Sequence, residues 1–306
     1  MITKWFVIIN PNSGNCTSQQ QWPLISNELK KKQFDFEFSI SAYKTHSFEL
    51  IQQAVLQGYK KFICIGGDGT LHNIINGILS LNSIDISEIK IGVIPLGTGN
   101  DWVKTYNIPK NYKEAIAIIK AEHTCKQDIG KIKFTNTNKV IYFNNLAGIG
   151  FDAYVVYKVH KFKRLRSLAY LTGAIVGLTS YKKPMLEIKF NQTNLKSKTL
   201  MLLIGICKFS GGGMQLTKDP NPMDGLFDIS LVNKFTLLDI LKNIPNLFNG
   251  KITHHTLVKN YNTQQIQVNI LNNQPTYIQA DGEIIGSSNF KVSILPSMLN
   301  FIIPNK

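Results

Sequence analysis

"FICIGGDGTLHNIINGI", residues 62–78, decides how this chain folds. Phe62 to Ile65 is an apolar run of the length of a buried strand. From Thr70 onward the apolar residues recur at helical spacing. Between them lies Gly66-Gly67-Asp68-Gly69. Strand, glycine corner and helix together form the repeating unit of an open α/β sheet. Such a corner presents backbone N–H groups at a helix start, where a phosphate is the usual guest. Asp68 sets a carboxylate in the middle of it.

The surrounding sequence repeats the unit. "KWFVIIN" (4–10), "FDFEFSI" (34–40), "KKFICIG" (60–66) and "KIGVIPLG" (90–97) read as strands. "SQQQWPLISNELKKK" (18–32), "SFELIQQAVLQGY" (47–59), "TLHNIINGILSL" (70–81) and "YKEAIAIIKAE" (112–122) read as helices. This alternation implies βαβ units and a mostly parallel sheet. After Asp128 the pattern changes. "KIKFT" (131–135) and "KVIYFNNLAG" (139–148) form a hairpin through Asn136-Thr137-Asn138, and 151–178 is helical in one or two pieces. From Met185 strands dominate, at 185–190, 199–207, 226–232, 256–261, 264–270, 276–281, 290–295 and 299–303, with one helix at 237–250. The expected fold class is α/β + β. A Rossmann-like doubly wound α/β domain spans 1–128, and an antiparallel β-sandwich-like domain spans 129–306. The strand near 299–303 is a candidate to pack back on the first domain.

Composition narrows the partners. Hydrophobic residues make up 43% of the chain, which supports real cores and argues against disorder. Cys16, Cys64, Cys125 and Cys207 form no C-x-x-C pair, so neither a zinc site nor a disulfide framework is indicated. Thiols in a reducing, cytoplasmic compartment are expected. The N-terminal apolar run is too short for a signal peptide core, and "LAYLTGAIVGL" (168–178) is about half of a bilayer span. The net charge of +15 favours polyanionic partners: nucleic acid, an anionic membrane surface or nucleotide phosphates. The basic residues also cluster. No Asp or Glu occurs from Ala153 to Leu186, where Lys158, Lys161, Lys163, Arg164, Arg166, Lys182 and Lys183 fall.

Three turns carry similar chemistry. "NPNSG" (10–14) follows the first strand, "GGDGT" (66–70) the third and "PLGTGND" (95–101) the fourth. In an open α/β sheet such turns share the carboxyl edge, where ligands bind. Backbone N–H groups of residues 67–72 are expected to face an anion, with hydroxyls from Ser13, Thr70 and Thr98. Neither a Walker A loop nor the dinucleotide G-x-G-x-x-G pattern is present.

These motifs, with "NNLAGIGFDA" (144–153), "GGGMQLTKDPNPMDGLFDISLV" (211–232) and "ADGE" (280–283), resemble the diacylglycerol kinase catalytic family, in that family's order and over essentially the whole chain. Within it they look like the bacterial soluble lipid kinases of the diacylglycerol kinase and YegS-like group. The resemblance implies ATP- and Mg²⁺-dependent phosphorylation of a lipid hydroxyl, between an α/β domain of the NAD kinase and diacylglycerol kinase type and a β-rich domain. It places Asn10, Pro11, Asn12, Ser13, Gly14, Ser41, Gly66, Gly67, Asp68, Gly69, Thr70, Leu71, His72 and Thr98 around the nucleotide. Ser41 stands where the family often has threonine. Asp101 and Asp128 match carboxylates of a magnesium and water network with Asp68. Asn221, Asp224 and Leu226 match a second, structural Mg²⁺ site. Asp281 and Glu283 match the loop that supplies a base, and a carboxylate pair suits that work. If the strand before them continues, they point the same way. Which of Asp68, Asp281 and Glu283 takes the proton stays open at this level.

Lys158, Lys161, Lys163, Arg164 and Arg166 give the docking reading: a peripheral, salt-reversible hold on an anionic membrane that carries the lipid substrate. A homodimer is a further possibility, and no nucleic-acid partner is expected. The family commonly has a basic residue after the first turn. Asn15 stands there, so the acceptor is diacylglycerol or, in a YegS-like or sphingoid kinase, another lipid. The competing readings are a NAD kinase, which shares GGDG, and a non-enzymatic basic module without a nucleic-acid-binding motif.

Overall fold

The structure, a computed structural model of the chain, describes residues 3–81, 84–97, 99–161, 181–272 and 276–305. It divides into two compact units. The first comprises Met1–Ile129 with Pro296–Lys306, and the second Gly130–Leu295.

In the first unit β1 (Trp5–Ile9), α1 (Ser13–Lys31), β2 (Phe36–Ile40), α2 (His46–Leu56), β3 (Lys61–Gly66), α3 (Asp68–Leu79) and β4 (Lys90–Pro95) alternate, followed by α4 (Asp101–Thr105) and α5 (Tyr112–Ala121). The sheet runs in the order β2-β1-β3-β4, and every one of these pairs is parallel. β1 is buried along its whole length, as are β3 and β4 beyond their first residues. That is the mark of strands covered on both faces. The helices pair α1 with α5 and α2 with α3. Glu122 binds Lys61, and its Oε2 accepts from Lys90 Nζ at 2.8 Å, which fixes the starts of β3 and β4 together. β5 (Thr124–Phe134) leaves this unit at Ile129.

The second unit continues with β6 (Val140–Phe143), β7 (Leu146–Gly150), α6 (Phe151–Lys161), β8 (Met185–Phe190), β9 (Thr193–Lys198), β10 (Met201–Gly205) and β11 (Phe227–Val232). The short helices α7 (Leu237–Lys242) and α8 (Ile244–Phe248) follow. β12 (Val258–Thr263), β13 (Gln265–Ile270), β14 (Ile278–Ala280), β15 (Glu283–Gly286) and β16 (Phe290–Ile302) complete it. One antiparallel sheet has the order β12-β11-β10-β7-β14-β15. In the other, the first part of β16 pairs with β13, β13 with β8 and β8 with β9. Aromatic rings pack between them: Phe190 of β8 lies 4.9 Å from Tyr261 of β12.

Four expectations are corrected. β9 is a strand where the sequence suggested none. The run 139–148 breaks at Asn144-Asn145 into β6 and β7, and the helix at 237–250 breaks at Asn243. The last two expected strands are one, β16, which passes Pro296 and returns to the first unit. There Asn300 and Phe301 pair in parallel with Lys90 and Ile91 of β4.

Candidate active site

The three glycine turns of the first unit pack against one another. A Cβ on Gly67 would lie 3.0 Å from the Cα of Gly97, and one on Gly97 only 2.5 Å from the Cα of Gly67. Gly14, at φ +62°, comes equally close to the third turn: a Cβ there would meet the carbonyl oxygen of Leu96 at 2.3 Å. Asn10 Nδ2 donates to Thr70 Oγ1 at 3.0 Å, tying the first turn to the second. Leu96 N–H donates to the Gly66 carbonyl at 2.9 Å. Asn100 closes the third turn on itself. Its Oδ1 accepts from Gly97 N–H at 3.1 Å, and its Nδ2 donates to the Gly97 carbonyl at 2.7 Å. Ser41, buried after β2, donates its N–H to Ile9 at 2.8 Å. Pro11, Asn12 and Ser13 line the half-exposed first turn. Thr98 lies outside the described residues.

The anion-facing donors are fewer than expected. Thr70 and Leu71 give their N–H groups to the Gly67 carbonyl, at 3.0 and 3.1 Å, because α3 begins at once. Thr70, Leu71 and His72 are buried in that helix. Gly67 to Gly69 stand at the N-terminus of α3, the end of a helix at which an anion can be held.

Asp68 binds the neighbouring turn. Its Oδ2 accepts the N–H of Asp101 at 2.9 Å and its Oδ1 that of Trp102 at 3.2 Å. Asp101 is the first residue of α4, and its carboxylate pairs with Lys104 at 2.8 Å. A Cβ on Gly99 would lie 3.2 Å from Asp68 Oδ2 and 3.8 Å from Asp101 Oδ2, so the two carboxylates border one glycine. Two hard oxygens beside phosphates suit Mg²⁺, which binds one or two carboxylates and keeps several waters. Asp128 is fully buried and accepts Ser297 N–H at 2.7 Å, so its carboxylate holds the chain just past Pro296. Next to it, Gln127 accepts from Trp102 Nε1 at 2.8 Å and Tyr106 Oη at 2.9 Å. Burial, and then the charge of Asp68, push the Cys64 thiol up, which leaves it inert.

In the second unit the strand does not continue through "ADGE". Asp281 at φ +50° and Gly282 at φ +81° form a hairpin turn between β14 and β15, so Asp281 and Glu283 do not share a strand face. The Asp281 carboxylate accepts three backbone N–H groups, from Asn144 at 3.1 Å, Asn145 at 3.0 Å and Leu146 at 3.2 Å. Those donors stand at the break between β6 and β7. Gln279 spans the same turn. Its Oε1 accepts from Gly282 N–H at 3.0 Å, and its Nε2 donates to Asp152 Oδ2 at 3.1 Å. Asp152 Oδ1 is shut off from solvent with no hydrogen-bond partner, and burial pushes this carboxyl up to about 6. The missing side chain at Gly148 makes room for it, since a Cβ there would lie 1.9 Å from Asp152 Oδ2. Sequence reading singled out neither Asp152, Gln279, Asn100 nor Gln127, although the quoted motifs contain the first and third.

The loop 221–226 is a turn. Leu226 N–H donates to Asp224 Oδ1 at 3.0 Å, and Met223 N–H to Asn221 Oδ1 at 3.2 Å. Asp224 is exposed, and one carboxylate with backbone carbonyls is the donor set the loop offers a hydrated cation. Among the described residues no three His, Cys, Asp or Glu side chains converge as a metal cage. On α6, Lys158 sits 5.4 Å from the centroid of the Tyr154 ring and Lys161 ends the helix. Lys163, Arg164 and Arg166 lie outside the described residues. No helix among the described residues is long and apolar enough to cross a membrane.

Comparison with known proteins gives the same outline. The diacylglycerol kinase catalytic domain model matches residues 4–132, and the YegS C-terminal NAD kinase beta sandwich-like domain model matches residues 145–303. The chain is 29% identical over 312 residues to the protein named "Putative lipid kinase YtlR" of Bacillus subtilis (strain 168), covering 97% of this chain and 99% of that one. It is 27% identical over 307 residues to a diacylglycerol kinase of Staphylococcus aureus, covering 98% and 92%. A crystal structure of a diacylglycerol kinase from Bacillus anthracis str. Sterne superposes with a TM-score of 0.75 at 18% identity, covering 98% of this chain and 97% of that chain.

Proposed function

Because this chain belongs to the diacylglycerol kinase catalytic family and is a lipid kinase of it, we propose that it transfers the γ-phosphoryl group of ATP to the free hydroxyl of diacylglycerol, giving phosphatidic acid. The observation that carries this reading is the mutual packing of three glycine turns around a carboxylate bound to the next turn. That arrangement offers backbone donors to phosphates without a P-loop lysine. Phosphoryl transfer asks the protein chiefly for positioning and charge neutralisation. Gly67 to Gly69 and the turn at Asn10 to Gly14 hold the phosphates. Mg²⁺ beside Asp68 and Asp101 would neutralise the negative charge between carboxylate and phosphate oxygens. One of Asp68, Asp281 and Glu283 is the base that takes the proton of the acceptor hydroxyl. A positioned base contributes about 10²–10⁴ to such a step. The basic segment from Lys158 to Arg166 holds the enzyme peripherally and reversibly on the anionic, cytoplasmic face of a membrane. Each cation contributes roughly 1 kcal/mol there.

The test is transfer of labelled phosphate from ATP, in mixed micelles with Mg²⁺, to diacylglycerol, phosphatidylglycerol, ceramide and sphingosine separately. The expected product is phosphatidic acid from diacylglycerol. A product from another lipid alone corrects the acceptor, and a blank across all four overturns the reading.

A further inference from the structure

We infer that Gln279 is a positioning residue of the reaction: its side-chain amide, held by the buried carboxylate of Asp152, fixes the turn that carries Asp281 and Glu283. The inference rests on the proposed lipid kinase reaction, in which that turn is a source of the base.

The ladder between β7 and β14 builds the bridge. Gln279 pairs with Gly148, and directly opposed residues turn their side chains to the same face. Asp152, in the first turn of α6, fills the place that a side chain at residue 148 would take, since a Cβ there would overlap its Oδ2. Gln279 Nε2 donates to that oxygen at 3.1 Å, and Gln279 Oε1 accepts from Gly282 N–H at 3.0 Å. Gln279 is only 4% exposed, which leaves little room for water to replace either partner. The two ends also decide which way round the amide sits. A backbone N–H can only donate, and a carboxylate can only accept. Burial pushes the Asp152 carboxyl up to about 6, so at about pH 8 it is ionised and takes the Nε2 side.

A hairpin turn does not ordinarily need such a support. The central residues of a two-residue turn lie outside the ladder, and at a surface water serves their N–H groups. Here the turn is held from two sides. The Asp281 carboxylate takes the N–H groups of Asn144, Asn145 and Leu146, and the Gly282 N–H is taken by Gln279. The first contact sets where the turn lies and the second sets its tilt. Glu283 follows directly, as the first residue of β15. A carboxylate that works in a reaction has to be held to within about 0.5 Å, and a buried polar bridge behind a hairpin supplies that.

Exchanging the groups at the two ends of the bridge tests this. Gln279→Glu keeps an acceptor for Gly282 N–H but sets a second carboxylate against Asp152. Asp152→Asn keeps an acceptor for Gln279 Nε2. In the double variant Gln279→Glu/Asp152→Asn the new amide donates to the new carboxylate, and Gly282 N–H keeps its acceptor. Turnover is measured on whichever of the four lipids the wild type phosphorylates, at about pH 8, where two facing carboxylates share a proton only at a cost. Near-UV circular dichroism of each variant reports the fold. Gln279→Glu is expected to lower kcat about ten- to a hundredfold and to leave KM for ATP within about twofold. The double variant should regain most of that loss. Should Gln279→Glu fail to fold, Gln279→Met, which lacks both hydrogen bonds at similar volume, carries the same expectation for kcat. A folded Gln279→Glu or Gln279→Met with the kcat of wild type overturns the role, and so does a double variant no more active than Gln279→Glu. A wild type inactive on all four lipids overturns the kinase reading and this role with it, whereas an active wild type confines any failure to the role of Gln279.

Discussion

The backbone N–H of Asp101 is held by the carboxylate of Asp68, at 2.9 Å, thirty-three positions away in the sequence. With the second bond, to Trp102, that carboxylate orients α4. Asp68 therefore joins two turns, and the part in the chemistry that the proposed function gives it is separable from that. Asp68→Asn keeps an oxygen for one N–H and is expected to lower stability by about 1 kcal/mol, as loss of part of a cap does. Phosphoryl transfer should fall at least about a hundredfold. Urea unfolding and the lipid kinase assay on the same sample read the two effects.

The approach of Gly67 to Gly97 leaves no room for a methyl group. Gly97→Ala sets a Cβ 2.5 Å from backbone, which cannot rotate away as a side chain does. The two turns must part, at about 1–3 kcal/mol. ATP affinity, measured by calorimetry, should weaken more than the stability loss implies. Gly58→Ala reads the opposite effect, because nothing lies within 4 Å of its Cβ position but its φ of +95° strains an alanine there.

Three backbone donors at 144–146 converge on Asp281. Asp281→Ala leaves them without their acceptor and should destabilise the chain by roughly 1–3 kcal/mol. Asp281→Asn keeps one acceptor oxygen and should lose less. If both variants lose activity equally while differing in stability, the carboxylate acts in the reaction as well as in the turn.

Asp152 gives the chain a pH signature. Burial raises its carboxyl from 3.8 to about 6. A carboxyl raised in the folded state contributes stability that is fully present below about 3.8 and is lost as pH rises through about 6. Wild-type stability relative to Asp152→Asn should therefore fall between pH 4 and 6, by roughly 3 kcal/mol at most. Urea melts of both proteins across that window measure the difference.

Magnesium should bind the 221–226 turn weakly, through the exposed Asp224. Added Mg²⁺ is expected to raise the melting temperature by a few degrees at about a hundredfold excess over the dissociation constant. Asp224→Ala should remove the part of the shift that belongs to this turn. An Asp224→Ala chain with the full shift would place all the metal elsewhere.

Periodicity carried the first unit well. Each of β1, β3 and β4 is a short run that is buried on both faces, and each is followed by a helix. β9 was illegible because "TNLKSK" has Leu195 as its only large apolar residue, and its strand form comes from pairing with β8. β16 looked interrupted because Pro296 lacks an N–H, yet the Asp128 carboxylate takes up Ser297 N–H and the strand resumes. The glycine turns were legible as motifs. Their contact with one another was not, since closeness between Gly67 and Gly97 depends on the β3–β4 register rather than on local spacing. Asp281 likewise shows as a motif residue, but its hold on Asn144 to Leu146 is a tertiary fact. The hairpin turn also overrode the strand geometry expected of Asp281 and Glu283.

The return of β16 has a consequence for the order of synthesis. Phe301 pairs with Ile91 of β4, and its ring lies tilted against that of Trp102, 4.7 Å between centroids, the residue whose N–H binds Asp68. A growing chain thus has every glycine turn by residue 101 but lacks the strand that supports them until some two hundred residues later. The nascent first unit waits with one flank of β4 unpaired, an open edge of the kind that recruits wrong partners. Final assembly of the glycine-turn end of the sheet is therefore one of the last events in making this protein.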